Sequence, residues 1–193
     1  MRRIWTRYAF GVAALALVLA SGSASAWECD FLTGGGFIIR DSGAKANFGV
    51  GGGCKHGSPT WGHLEYQDHG TGLNVHWISI TGYFEEESNT DSRGKPIGVR
   101  RICGTARTNL YGDVDWFVLA RDTGEPGVDD EFTIRLAQSG IIVYTTEGDS
   151  NHTLGGSGPG GGNIQLHNPN PSTMGPFGGL CPAFYAVGGG GGA

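Results

Sequence analysis

Basic residues are scarce in this sequence. Lys and Arg number 13 against 18 Asp and Glu, which gives a formal net charge of −5. Three of the arginines stand within the first seven residues, so the remainder of the chain has 10 basic residues against 18 acidic ones. Nucleic acids and anionic membrane surfaces attract proteins that carry an excess of Lys and Arg. The sequence therefore predicts a protein that binds neither.

Long apolar runs are also lacking. The longest, residues 8–20, has 13 residues and is too short for a transmembrane helix, which needs about 20. It follows a basic start and precedes the small-residue pattern that ends at Ala26, an order typical of a secretory signal peptide. We predict that residues 1–26 are removed before Trp27 and that the protein is secreted, at the cell envelope or outside it, without membrane insertion. An uncleaved N-terminal anchor is the alternative.

The four cysteines have no Cys-x-x-Cys pair among them, which disfavours a zinc site. An even number of cysteines in an exported chain predicts two disulfides, for which three pairings exist. The pairing that we favour joins Cys29 to Cys181 and Cys54 to Cys103, since it would tie the two ends of the chain together.

A helical period of apolar residues is absent after residue 26, whereas alternation with a period of two is common. Glycine accounts for 37 residues, clustered between short apolar runs where tight turns and close backbone contacts are expected. The predicted fold is an all-β, disulfide-stapled antiparallel sandwich, partly barrel-like, of about nine short strands. The predicted strands are 37–40, 44–50, 61–67, 73–84, 99–107, 114–121, 131–136, 141–146 and 163–167.

The predicted organisation has three parts. Residues 1–26 are the signal peptide, 27–168 the β-sandwich domain, and 169–193 a tail rich in Pro and Gly that is tied down at Cys181. Residues 68–72 and 138–140 are predicted hairpin loops. The polar stretch 85–96 is predicted to be a surface loop without strands.

The loop of residues 122–130 concentrates acidic side chains. It contains Asp122, Glu125, Asp129 and Asp130, and carboxylates in an extracellular loop suit calcium, although the spacing of an EF-hand is absent. The interpretation that we favour is an acidic loop in which Asp side chains accept hydrogen bonds from nearby backbone amides. Structural calcium is the alternative, and no other cofactor is predicted.

Three further sets of side chains could carry chemistry. His63, Glu65 and His76 could meet across a hairpin at a metal site, although hydrogen-bonded surface residues are the favoured interpretation. A glycoside hydrolase would need two carboxylates facing each other, for which Glu65, Asp68, Asp113 and Asp115 are the candidates. The strand aromatics could stack on sugars, but core packing is the favoured interpretation. These aromatics are Trp61, Tyr66, Trp77, Tyr83, Tyr111 and Trp116.

Five short motifs in a fixed order resemble a known family. They are Thr33-Gly-Gly-Gly-Phe-Ile, Ala44-Lys-Ala-Asn-Phe-Gly-Val, Gly62-His-Leu-Glu-Tyr-Gln-Asp-His69, Asp122-Thr-Gly-Glu-Pro-Gly and Gly162-Asn-Ile-Gln-Leu-His167. Together they resemble an uncharacterised bacterial secreted β-domain that often follows choice-of-anchor surface domains. The resemblance covers residues 32–168 and implies an all-β extracellular domain with no catalytic residues to carry over.

The function predicted from the sequence is that of a secreted, non-catalytic binding or structural domain of the bacterial envelope. Its partner would be a polysaccharide or an envelope protein. The alternative is a carbohydrate-active hydrolase that uses paired carboxylates.

Overall fold

The structure is a computed structural model that describes residues 29–156 and 160–183. The predicted signal peptide, its cleavage point at Ala26 and Trp27, and the last ten residues of the tail lie outside the described residues. Within the described ranges the chain forms ten strands and no helix, so no helix there is long and apolar enough to cross a membrane.

The strands follow one another closely along the chain. They are β1 (Phe31–Ile39), β2 (Lys45–Lys55), β3 (Ser58–Asp68), β4 (Leu73–Thr90), β5 (Pro96–Thr108), β6 (Gly112–Asp122), β7 (Glu131–Gln138), β8 (Ile141–Thr145), β9 (Gly162–His167) and β10 (Gly178–Gly179). All nine predicted strands are confirmed, and β10 is the additional one.

All ten strands belong to one antiparallel sheet, in the order β8-β7-β6-β5-β4-β3-β2-β1-β9, with β10 paired to β4. The sheet curls into a half-barrel, so that side chains from strands far apart in the sheet meet inside it. The rings of Phe48 on β2 and Phe132 on β7 stack with their centroids 3.9 Å apart. The all-β antiparallel architecture is thus confirmed, whereas a sandwich of two sheets is not.

Alternation along each strand sends apolar side chains into the half-barrel and polar ones outward. On β2, the side chains of Ala46, Phe48 and Val50 are buried, whereas Lys45 is exposed and Asn47 is partly buried. Trp116, Tyr66 and Tyr83 are buried in the core, which confirms core packing for these three aromatics. Trp61, Trp77 and Tyr111 are only partly buried.

Both disulfides are present, but the favoured pairing was wrong. The bonds join Cys29 to Cys54 and Cys103 to Cys181. Phe31 pairs with Gly53 in the β1–β2 hairpin, which brings Cys29 next to Cys54. Gly179 and Cys103 both pair with Gly82 of β4, from opposite sides, and this brings Cys181 to Cys103. No free cysteine is found, and two disulfides are typical of an oxidising compartment outside the cytoplasm.

The predicted surface loop at 85–96 was also wrong, because β4 and β5 extend across most of it. Asn89 pairs with Ile97, and only five residues separate the two strands. Ion pairs accompany this polar ladder: Glu87 accepts two hydrogen bonds, at 2.7 and 2.8 Å, from Arg121 of β6. The predicted hairpin loops at 68–72 and 138–140 are confirmed.

Candidate functional site: a polar groove on the outer face of the sheet

A groove of about 670 Å³ crosses the outer face of strands β2 to β5. Its outward-facing side chains are polar apart from one glycine: Asn47, Gly49, Glu65, Gln67, Asn74, His76, Arg107 and Asn109. All but Asn109, which directly follows β5, reach one face because they occupy alternate positions on four strands that pair in register. Phe48, Tyr66, Val75 and Thr108 complete the lining.

A row of two carboxylates, one histidine and one arginine crosses the groove from strand to strand. Glu65 pairs with His76, His76 with Arg107, and Arg107 with Asp113 of β6. The Nδ1 atom of His76 lies 2.5 Å from Oε1 of Glu65, and Nε of Arg107 donates to Asp113 at 3.0 Å. Each carboxylate in the row therefore has its own partner within the row.

The strand pairing of this row shows how far apart the residues lie that were predicted as a metal site or as a hydrolase centre. His76 lies opposite Glu65, whereas His63 pairs with Gly51 of β2, so the two histidines are not opposite each other. Three strand spacings separate Glu65 from Asp113, or about 14 Å across the sheet. Among the described residues no group of three or more His, Cys, Asp or Glu is arranged to hold a metal ion.

Gly49 forms part of the groove floor, and the fold does not require a glycine there. A β-carbon placed on Gly49 would meet no atom within 4 Å, and its φ lies outside the left-handed region. Its neighbour across the ladder, Gly35, would bring a β-carbon no closer than 3.4 Å to another atom, the carbonyl oxygen of Phe48. Glycine inside a strand often marks a place where a ligand or another backbone approaches closely.

Asn47 lies beside this floor with an unused acceptor. Its Oδ1 atom is buried but has no hydrogen-bond partner among the described residues. Buried polar atoms are nearly always hydrogen-bonded, and each exception calls for an explanation. The atom has no surface open to solvent, so a ligand in the groove would have to displace the Asn47 side chain to reach it.

The acidic loop that was predicted as a calcium alternative serves the backbone. Asp122 accepts hydrogen bonds from the amides of Gly124 and Leu166, both at 2.7 Å. Asp130 accepts from the amide of Thr123 at 2.9 Å and from that of Ile164 at 2.7 Å. The favoured interpretation, acidic side chains bonded to nearby amides, is thus confirmed for Asp122 and Asp130.

The same contacts account for the electrostatics of these two carboxyls. Burial raises the pKa of Asp122 and of Asp130 above the ordinary value, and the amide hydrogen bonds only partly oppose it. Glu125 accepts a hydrogen bond from the side chain of Asn163 at 3.2 Å, and Asp129 is exposed. Calcium at this loop stays a prediction.

Asp115, a further hydrolase candidate, lies two residues from Asp113 on the same face of β6, and Asp68 lies inside the half-barrel. Asp68 accepts hydrogen bonds from Arg40 at 2.8 Å and from the hydroxyl of Tyr144 at 2.7 Å. Burial raises the pKa of Asp68, but the hydrogen bonds from Tyr144 and from the amides of Gly70 and Thr71 outweigh it, so that the pKa is lowered. Asp68 therefore braces the β3–β4 turn against β8 and does not face the groove.

A second buried ion pair closes the other end of the half-barrel. The guanidinium of Arg100, 1 % exposed, donates to both carboxylate oxygens of Asp30. The hydroxyl of Tyr83 donates to the same carboxylate at 2.7 Å. Because Asp30 follows Cys29, this cluster anchors the chain just beyond the Cys29–Cys54 disulfide.

Comparison of the chain with protein-family models, with curated protein sequences and with solved structures found no significant match. The outer groove was missed in the sequence, where the glycines were assigned to turns and bulges. The signal that could have found it is the order Lys45-Asn47-Gly49 at the outward positions of a strand whose inward positions are all apolar.

Proposed function

We propose that this chain is a secreted, non-catalytic binding domain of the bacterial envelope and that its ligand occupies the outer groove. The observation that carries the proposal is the bare floor at Gly49. Glycine in the middle of a strand is destabilising by roughly 0.5–1 kcal/mol relative to alanine. Neither backbone conformation nor packing requires glycine at this position, so a ligand that needs access to the floor would explain it.

The resemblance of five motifs to a bacterial secreted β-domain supports an extracellular setting, and the two disulfides are consistent with it. The resemblance implies an all-β extracellular domain, and membership of that family is part of the proposal.

The carboxylates favour a binding domain over the hydrolase alternative. Glycoside hydrolysis uses two carboxyl groups that lie roughly 5–10 Å apart across the substrate. Glu65 and Asp113 lie about 14 Å apart across the sheet, and Asp68 lies inside the half-barrel. Asp113 and Asp115 stand side by side on one strand, β6, and not on two walls that face each other across a substrate.

The proposal is tested by blocking the groove without disturbing the fold. Gly49→Thr places a side chain on the open floor, and Gly148→Thr is the matched control, because a β-carbon on Gly148 also meets no atom within 4 Å. The exported protein and both variants are incubated with insoluble polysaccharides, isolated cell walls and envelope extracts, and the retained protein is measured.

We expect saturable retention of the wild type and of Gly148→Thr, and loss of retention for Gly49→Thr with an unchanged circular dichroism spectrum. Equal retention of all three proteins would show that the ligand does not use the groove. No retention on any of the materials would favour the purely structural role.

A further inference from the structure

We propose that the ligand of the outer groove is an uncharged oligosaccharide chain. This inference rests on the proposed function, since it names the class of ligand that the same groove accepts. Four properties of the groove carry it: its charge, its hydrogen-bonding groups, its position within the sheet, and the aromatic side chains that continue the same face.

The charged groups of the groove do not favour an anion. Glu65 contacts His76, and Arg107, the one arginine of the row, donates to Asp113, so the row has two carboxylates against one guanidinium. The chain as a whole has a net charge of −5, which disfavours polyanions further. An uncharged ligand fits this balance better than nucleic acid, heparin-like polymers or anionic lipid.

The remaining polar groups of the lining are side-chain amides. Asn47, Gln67 and Asn74 lie on three adjacent strands, and each primary amide offers donors and an acceptor in one plane. A sugar ring presents hydroxyl groups that both donate and accept, side by side along one edge. The exposed amides of Gln67 and Asn74 are open to such hydroxyls.

The position of the groove disfavours an extended peptide as the occupant. Peptides bind sheets mainly by adding a strand to a free edge, where backbone groups are unpaired. Strands β2, β3 and β4 are interior strands with neighbours on both sides, so their backbone groups are already used. The bare floor at Gly35 and Gly49 instead suits a flat ring that lies on the sheet.

Aromatic side chains continue this face along the strands. The rings of Phe31 and His167 stack with centroids 4.4 Å apart, and Trp61 meets Phe31 edge to face at 6.2 Å. Both Phe31 and Trp61 pair with Gly53 from opposite sides, four residues and about 13 Å along β2 from Gly49. Apolar ring faces at this spacing could receive later sugar units of the same chain.

The test uses affinity electrophoresis in gels that contain a soluble neutral polysaccharide: dextran, laminarin, xyloglucan or galactomannan. Heparin serves as the polyanionic probe. The full exported protein is compared with Gly49→Thr, with Gln67→Ala, which removes one exposed amide of the lining, and with Gly148→Thr as control.

We expect at least one neutral polysaccharide to retard the wild type and Gly148→Thr. Gly49→Thr and Gln67→Ala should bind it about tenfold more weakly, since each loses the equivalent of one hydrogen bond or contact. Heparin should not retard any of the four proteins.

Two results would overturn the inference in distinguishable ways. If an identified envelope protein binds saturably and Gly49→Thr abolishes that binding, while no neutral polysaccharide is bound, the groove is a protein-binding site and only the choice of ligand is wrong. If a polysaccharide is bound equally by all four proteins, or if nothing binds in either experiment, both the ligand and the proposed groove are wrong.

Discussion

Two aspartates accept hydrogen bonds from backbone amides at the β9 edge of the sheet. Strand β9 pairs with β1 on one side only, so the amides of Ile164 and Leu166 face away from their neighbour. Asp130 and Asp122 accept hydrogen bonds from these two amides at 2.7 Å. An open edge is a common starting point for aggregation, and here the edge amides are occupied by side chains of the β6–β7 loop.

Asp122→Asn should therefore destabilise the protein. Both carboxylate oxygens accept from backbone amides, so an asparagine NH₂ group would face one amide donor and leave it unpaired, at a cost of about 1–3 kcal/mol. The measurement is chemical denaturation of the variant beside Asp129→Asn, an exposed aspartate of the same loop, which should change stability by no more than about 0.5 kcal/mol.

The pH dependence of the stability of the wild type and of Asp122→Asn gives an independent check. Since the pKa of Asp122 is raised in the folded state, the folded protein binds the proton more readily than the unfolded chain does. The wild type should thus gain stability as the pH falls from that raised pKa towards the ordinary value near 3.9, whereas the variant does not titrate there. A gap between the two proteins that stays constant or narrows over this window would contradict the assignment.

At the scale of single residues, the acidic loop could be predicted from the sequence, but its hydrogen-bond partners on β9 could not. The cluster of acidic residues at 122–130 and its turn-forming glycines are local features, so the Asx-turn at Gly124 could be predicted. The second partner of Asp122 is Leu166, 44 residues along the chain. No local pattern carries information about a contact that only the curl of the sheet creates.

Glycines in the strands fall into two physical classes. Gly162 of β9 has φ +132°, and a β-carbon there would lie 2.2 Å from the carbonyl oxygen of Gly35. Gly49 of β2 has neither constraint. The sequence alone does not distinguish the two, because the difference depends on the neighbouring strand.

Alanine substitution should separate these classes. Gly162→Ala is expected to destabilise the protein by more than about 1 kcal/mol, because the backbone would have to shift and adopt a strained conformation. Gly49→Ala is expected to leave stability unchanged or raise it by roughly 0.5–1 kcal/mol. Thermal unfolding of the two variants beside the wild type checks both values. A destabilised Gly49→Ala would mean that the fold itself requires this glycine, and it would remove the main support for a ligand-binding floor.

The strand segments that could not be predicted from the sequence are polar ones. Alternation of apolar and polar residues identified nine strands because each buries one face. The β4–β5 extension at 85–96 buries little: Glu85, Glu87 and Asn89 are exposed, and the ladder there is accompanied by ion pairs such as Glu87 with Arg121. A hydropathy pattern cannot reveal a strand whose side chains form ion pairs with the neighbouring strands instead of entering the core.

The curl of the whole sheet decides which cysteines meet. Cys29–Cys54 closes a sequence-local hairpin of separation 25, whereas Cys103–Cys181 spans 78 residues. Pairing by chain ends failed because the end of the described chain returns to the middle of the sheet, at β4, and not to β1. Peptide mapping under non-reducing conditions should find these two linkages and no free thiol.

The two disulfides should therefore have different consequences when they are removed. Within residues 168–183 the segment after β9 is held by a small set of contacts besides the β10–β4 pairing: His56 donates to Ser172 at 3.0 Å, Leu180 donates to Thr81 at 2.8 Å, and Phe177 stacks on Tyr83. Cys103–Cys181 holds this segment down. In Cys103→Ala/Cys181→Ala, limited proteolysis should cut between residues 168 and 183 well before it cuts the strands.

The matched variant is Cys29→Ala/Cys54→Ala, which loses a linkage buried within the sheet. It should lower the midpoint of unfolding of the whole sheet, because the hairpin β1–β2 carries the edge strand β9, yet leave the segment after β9 no more sensitive to protease than in the wild type. Cleavage at the same sites and rates in both double variants would show that Cys103–Cys181 is not what holds the segment on the sheet. The pairing of β10 with β4 and the contacts of Ser172, Phe177 and Leu180 would then hold the segment.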